Sequence, residues 1–227
     1  MIREDYIIDW IKRYVLMLAQ IVGLVKTEHY PAALRAIEGA LQTLLDLGPD
    51  SVLSLSEGQI MARLSIGGPT QIVRDKCVIL AALLEQLGIV GAAQDRRRES
   101  VECHLKALHI MLGLRLGEET QSLPGYAPRV EDLAARLKEE RLPGRTYAAL
   151  MLYYEAQASF APAEDALYAL LETEPDSPNG VDIGIAFYER LLARSDAELI
   201  AGHLPRQEVE EGLAKIQADH SRRPPTP

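Results

Sequence analysis

LEQLGIVGAAQDRRRESVECHLKAL, residues 84–108, is the stretch from which the fold is read. Its apolar residues recur at helical spacing on both sides of a polar break, so it reads as helix, short turn, helix. Leu87 and Gly88 lie on the first helix. Ser100, His104 and Ala107 fall on one face of the second. Small residues at such positions let two helices approach closely, and a larger one fills the groove between them. The same four-then-three spacing appears at Ala33, Ile37 and Ala40. It appears again at Ala163, Leu167 and Leu170, preceded by Leu150 and Tyr154 on the earlier helix. These sets are offset by 67 and 63 residues.

Those offsets are close to two periods of a 34-residue helical repeat, and the pattern resembles the tetratricopeptide motif. The motif's Trp, its second-helix aromatic and its closing Pro are mostly missing. Any antiparallel helical hairpin with Ala at its contacts shares part of the signal, so a non-repetitive helical bundle is the competing architecture. The expected fold is all-α: stacked antiparallel helical hairpins forming a tetratricopeptide-like superhelix.

Outward from this hairpin, helical periodicity continues and convincing strand alternation is absent. Ile7, Tyr14, Leu18, Ile21 and Val25 mark a first helix. Helices are expected near 4–24, 30–47, 57–66, 70–90, 95–115, 129–141, 145–159, 163–174, 180–194 and 196–218. Gly48-Pro49, Gly67-Gly68-Pro69, Pro124-Gly125, Pro143-Gly144, Pro175 and Pro178 punctuate them. Ser56 with Gln59, and Ser195 with Glu198, have capping-box spacing. Pro31 and Pro162 suit first-turn positions. The expected organisation is N-terminal hairpins over 1–116, a connecting loop over 117–128 that could act as a hinge, and C-terminal hairpins over 129–220. The two sets of hairpins are expected to form one continuous structural unit, followed by a disordered tail over 221–227.

Composition narrows the function classes. A formal net charge of −9 argues against general nucleic-acid binding and against docking on anionic lipid, since both draw on a basic surplus. The longest apolar run is read as Tyr14 to Val25, which Gln20 and Gly23 break. No membrane span is expected, and the early acidic residues argue against a signal peptide. Cytoplasmic placement is therefore expected. Cys77 and Cys103 lack metal-ligand spacing and sit in apolar helical stretches, as buried reduced thiols do.

The opening Arg3-Glu4-Asp5-Tyr6-Ile7, the run Ala163-Glu164-Asp165-Ala166-Leu167 and the stretch GIAFYERLLARSDAELIAGHLPRQEVEEGLAKI, residues 184–216, together carry a wider resemblance. The chain resembles an uncharacterised family of bacterial, mainly Gram-positive, tetratricopeptide-like proteins, a domain of unknown function. The resemblance implies the helical fold and the compartment, and it carries over no catalytic residue.

Site chemistry is sparse. There is no HExxH, no nucleophile elbow, no P-loop and no dinucleotide fingerprint. No two histidines have i, i+4 spacing, and no Glu-x-x-His element is present. No cofactor is expected. Gly67-Gly68-Pro69-Thr70 could hold an anion at a helix start, or be a plain turn. Arg96, Arg97 and Arg98 are either a solvated loop or a clamp for an acidic group. The acidic residues from Glu164 to Asp176 are either a solvated face or a docking surface for a basic partner. The tyrosines concentrated at Tyr147, Tyr153, Tyr154, Tyr168 and Tyr188 are core or interface anchors. His104 is either a packing residue or the polar centre of a groove.

The expected function is a protein- or peptide-binding interaction module without catalysis, its groove lined by His104, Tyr154, Arg97 and Arg98. The alternatives are a structural homo-oligomer subunit and, behind it, a helical small-molecule or metal enzyme. A homodimer would most readily use the apolar stripe Leu199, Leu204, Val209, Leu213 and Ile216.

Overall fold

The computed structural model describes residues 2–65, 70–117, 122–175 and 180–222, with side chains described from residue 11 to residue 218 apart from 66–70, 118–121 and 176–179. Among the described residues every regular element is an α-helix. The chain divides into two compact units, Met1–Glu140 and Arg141–Pro227. The division falls C-terminal to the 117–128 stretch.

The first unit holds α1 (Ile2–Lys26), α2 (Tyr30–Leu45), α3 (Pro49–Ser54), α4 (Glu57–Ser65), α5 (Thr70–Ala93), α6 (Arg97–Leu116) and α7 (Val130–Arg136). Its axis is α5. Cys77 through Leu84 are eight consecutive buried residues, so this helix is apolar all round and packed on every side. Its neighbours are α1, α2, α4 and α6. Residues Gln71–Ala93 are long and apolar enough to cross a membrane by length and composition, with a mean hydropathy of 1.7, a run that exceeds the Tyr14–Val25 stretch. In the fold, 72% of that window is buried against protein.

The quoted hairpin is α5–α6, and its two helices run antiparallel. Gly88 faces the imidazole of His104, and Gly91 faces Ser100. A Cβ on Gly88 would lie 2.6 Å from His104 Nε2, closer than real contacts allow. The missing side chain is what lets the ring approach α5 so closely.

The second unit holds α8 (Gly144–Ala156), α9 (Phe160–Thr173), α10 (Gly180–Leu192), α11 (Asp196–Ala201) and α12 (Arg206–Arg222). Here α8 pairs with α9, and α10 pairs with α12. Phe160, Phe187 and Tyr188 are its largest fully buried side chains. The N–H groups of Phe160 and Ala161 both donate to the carbonyl of Gly202, at 3.0 and 3.1 Å. That supplies two of the donors a helix start leaves without partners. Arg206 donates to the carbonyls of Leu192 and Arg194 and pairs with Asp196, closing the end of α10.

One turn recurs in both units. Glu28, Asp95, Ala158 and His203 take left-handed φ angles of 59, 57, 53 and 61°. In each case the next residue's N–H reaches back five positions: His29 to Leu24, Arg96 to Gly91, Ser159 to Tyr154 and Leu204 to Leu199, all within 3.0 Å. This is the Schellman termination. The first three turns are offset by 67 and 63 residues, matching the spacing of the small-residue sets.

Both capping boxes form. Ser56 and Gln59 exchange reciprocal bonds of 2.8 and 3.3 Å, and Ser195 does the same with Glu198. Three expected boundaries differ, the helix expected over 129–141 ending at Arg136. Gly48-Pro49 is not a plain break, because Gly48 is the N-cap and Pro49 the first residue of α3. The helix expected over 196–218 is two helices, since His203 turns left-handed and Pro205 lacks the N–H needed to continue.

Two expectations follow. Gly88→Ala should cost about 1–3 kcal/mol in chemical denaturation. Most of that cost should vanish in a His104→Ala background, giving a coupling energy on the order of 1 kcal/mol. Ala158→Gly should stabilise the protein by about 1 kcal/mol, because it relieves a Cβ at positive φ.

Candidate functional site

The residues singled out in the sequence are distributed over both units. His104, Arg97 and Arg98 belong to the first unit and Tyr154 to the second. His104 is only 3% exposed, sealed between α5 and α6. Its Nδ1 lies 3.4 Å from Ser100 Oγ, and its Nε2 makes no hydrogen bond of ordinary geometry. Burial pushes its pKa down to about 4; the positive charge of Arg136 adds to this, and the Glu85 carbonyl works against it. It is a neutral packing residue. Arg97 is exposed and forms a two-pronged contact with Glu140, at 2.6 and 2.9 Å. Arg98 is exposed, and Tyr154 is half-buried edge-on to Tyr153.

Other expectations resolve similarly. Cys77 and Cys103 are buried and unbridged, with their thiols pushed up to about 11 and about 12 by burial. Leu199, Leu204, Val209 and Ile216 face inward and are buried in the second unit. Leu213, the fifth residue of that stripe, is half-buried, so most of the stripe packs into the unit's own core. Glu164 accepts a 2.5 Å bond from Tyr188 Oη, so part of the acidic run is occupied inside the fold. Residues 67–69 of the Gly67–Thr70 turn, and Asp176, lie outside the described residues.

A cleft that no sequence motif marked lies between α4, α5 and α6. It has a volume of about 240 Å³ and is lined by Glu57, Ile60 and Met61 of α4, Cys77 of α5, and a stripe of α6. The stripe comprises Lys106, His109, Ile110, Gly113 and Leu114, which is the spacing of one helix face over two turns. Ser100 and His104, about a third of a turn around the same helix, are packed on Gly91 and Gly88 of α5, with Ala107 buried beside them.

The cleft has two unlike ends. At one, His109 Nδ1 donates to Glu57 Oε1 at 2.5 Å, with the imidazole only 11% exposed. Beside it Lys106 Nζ donates to the Leu55 carbonyl at 2.5 Å. No carboxylate of the described residues is paired with Lys106. At the other end Met61, Ile110, Gly113 and Leu114 form an apolar wall. Met61 is 39% exposed. A Cβ on Gly113 would meet open space. The capping box at Ser56 fixes the start of α4 and so places Glu57 in its first turn.

Cys77, His109 and Glu57 bring a thiol, an imidazole and a carboxylate to one cleft, the residue types of a thiol nucleophile with its base and orienter. The geometry is otherwise. Cys77 Sγ donates to Met61 Sδ at 3.6 Å, and burial holds the thiol in its unreactive protonated form. Among the described residues no cluster of three or more His, Cys, Asp or Glu could hold a metal ion.

Sequence comparison places this chain in a family. The family model described as "Family of unknown function (DUF6483)" matches residues 1–221. The chain belongs to this family. No curated protein and no solved structure matches it. The DUF6483 match spans the residues of both units up to the last turn of α12, the cleft included.

The shifted pKa of His104 has a pH consequence. The native state keeps the ring neutral down to about pH 4, whereas the unfolded chain protonates it near its ordinary value of 6.5. The unfolded state therefore binds more protons between these values, and stability falls as pH drops through that window. The full effect is about 3 kcal/mol. His104→Leu should flatten this acid-side loss in denaturation midpoints measured from pH 7 to pH 4. An unchanged profile would show that the ring is not held neutral.

Proposed function

We propose that this protein is a protein- or peptide-binding module of tetratricopeptide-like hairpins, acting in the bacterial cytoplasm without catalysis of its own. The observation that carries the reading is the open apolar cleft between α4, α5 and α6. Small-molecule and cofactor pockets usually enclose about 300–1,000 Å³. A cleft of about 240 Å³ is better matched to side chains projecting from a partner. Interfaces draw most of their energy from a few such anchors set in desolvated pockets. An exposed methionine on the wall suits this use, because the thioether adapts to differing apolar shapes.

The repeated Schellman turn, at the offsets of the small-residue sets, supports the tetratricopeptide-like reading of the hairpins. The acidic balance is compatible with a protein partner and unfavourable for nucleic acid. A structural homo-oligomer subunit is the second reading, and the same cleft would then hold a second copy.

The test is capture from a lysate of the source cells, with the purified protein's mass in solution measured by light scattering. Met61→Glu places a charge on the apolar wall at an exposed position and should leave folding intact. A protein retained by the native chain and lost by this variant, with the native chain at its monomer mass of 25.1 kDa, is the expected result. A dimeric mass that Met61→Glu converts to monomer would replace the adaptor reading with the homo-oligomer.

A further inference from the structure

The cleft also specifies what kind of segment it takes, an inference that rests on the interaction-module reading. Its lining on α6 runs from Lys106 to Leu114, about 12 Å along the helix axis. Along that length the chemistry changes once. The ammonium of Lys106 stands at one end, with one of its three donors on the Leu55 carbonyl and no carboxylate of the described residues on the others. The neighbouring carboxylate, Glu57, is engaged by His109. One turn on, Ile110 and Met61 face the space. A further turn on, Gly113 leaves it open and Leu114 bounds it.

A half-buried ammonium is strengthened by an anionic partner far more than a solvated one, because less water screens the pair. An occupant that brings a carboxylate there, and aliphatic groups to the following two turns, satisfies both ends together. Side chains spaced one and two turns along one face are what an α-helix presents. We propose that the α4–α6 cleft is a helix-binding groove. Its occupant is an amphipathic helix of a partner protein, with an acidic residue at position i and aliphatic residues at i+4 and i+7. This is groove recognition by helical anchors. The acidic residue sits on Lys106, and the aliphatic pair fills the space bounded by Met61, Ile110 and Leu114 and left open by Gly113.

The test uses the full-length protein and a fluorescein-labelled, end-capped, Ala-based helical peptide carrying Glu at i and Leu at i+4 and i+7. Partner peptides replace the Glu by Gln, or both Leu by Ser. Binding is read by fluorescence anisotropy. The Glu peptide should bind about tenfold more tightly than the Gln peptide, and the Ser peptide should not bind measurably.

Two protein variants keep the result tied to the cleft. Gly113→Leu adds a side chain where a Cβ meets open space and replaces a mid-helix glycine, so it should fold at least as well as the native chain. It should abolish binding by filling the groove. Lys106→Gln keeps a donor for the Leu55 carbonyl and should bring the Glu-to-Gln preference close to one. Full binding by Gly113→Leu would overturn the groove assignment. A Glu preference that survives Lys106→Gln would overturn the role of the ammonium. Equal binding of Glu and Gln peptides that Gly113→Leu abolishes would remove the acidic anchor while leaving the interaction-module reading standing. Absence of peptide binding, together with saturable displacement of a hydrophobic dye from the cleft by decanoate, would overturn both in favour of a small amphiphile.

Discussion

The contact of Gly88 with His104 sets the geometry of the first unit. A helix pair joined by a three-residue turn can only choose how closely its members approach and how they are rotated. Glycine at 88 removes the side chain that would hold α6 away, and the imidazole fills the recess. The rotation that brings Ser100, His104 and Ala107 onto α5 turns Lys106, His109, Ile110 and Gly113 toward α4. The cleft thus adjoins the core contact around the same helix, and its walls are only as well placed as that contact is tight. The arrangement carries an energetic penalty at its centre, because a buried imidazole is held neutral with one nitrogen lacking an ordinary hydrogen bond. Close packing against a helix that is buried on all sides offsets it.

The same economy of means recurs in the turns. Four Schellman terminations use Glu, Asp, Ala and His at positive φ rather than glycine. Each forgoes about 1 kcal/mol that glycine would have kept. Asp is among the residues that tolerate the left-handed region; Ala158 has no polar side chain with which to compensate. The turn survives because the helices on either side of it pack over their whole length. In the second unit polar tethers do comparable work. Arg190 forms a bidentate pair with Glu155, joining α10 to α8 at 2.7 Å through each nitrogen. Gly202 gives its carbonyl to the start of α9 and its missing side chain to the ring of Phe160. The latter contact explains why the chain needs a glycine between α11 and α12.

Cys77, Met61, Glu57 and His109 show how packing chooses between chemistries that composition leaves open. A thiol, an imidazole and a carboxylate in one cleft would suit a nucleophile if the thiol were exposed to the ring. Here the thiol is aimed at a thioether and kept protonated by burial, while the carboxylate and imidazole engage each other across α4 and α6. Among the described residues, the cleft is left with an apolar wall, the Lys106 ammonium and the His109-paired carboxylate of Glu57.

Much of the helical architecture was legible in the sequence, and the reasons are local. Hydrophobic spacing, the two capping boxes and the small residues at 88, 100 and 107 report on neighbours within a few turns, where chain connectivity leaves few alternatives. Helix ends that depend on a left-handed residue other than glycine, such as His203, were not legible, since their dihedral is chosen by packing. Nor was the cleft. Glu57 and His109 are 52 residues apart, as are Met61 and Gly113, and no spacing rule links them. The four residues that looked most like a groove lie in two different units, and the most conspicuous, His104, is core. The sequence by itself determined that this chain folds into α-helices joined by short turns, because periodicity and turns are properties of neighbouring residues. Which face of α6 would be core and which would line a cleft was decided by tertiary structure alone, because both faces carry apolar residues and only the placement of α4 and α5 tells them apart.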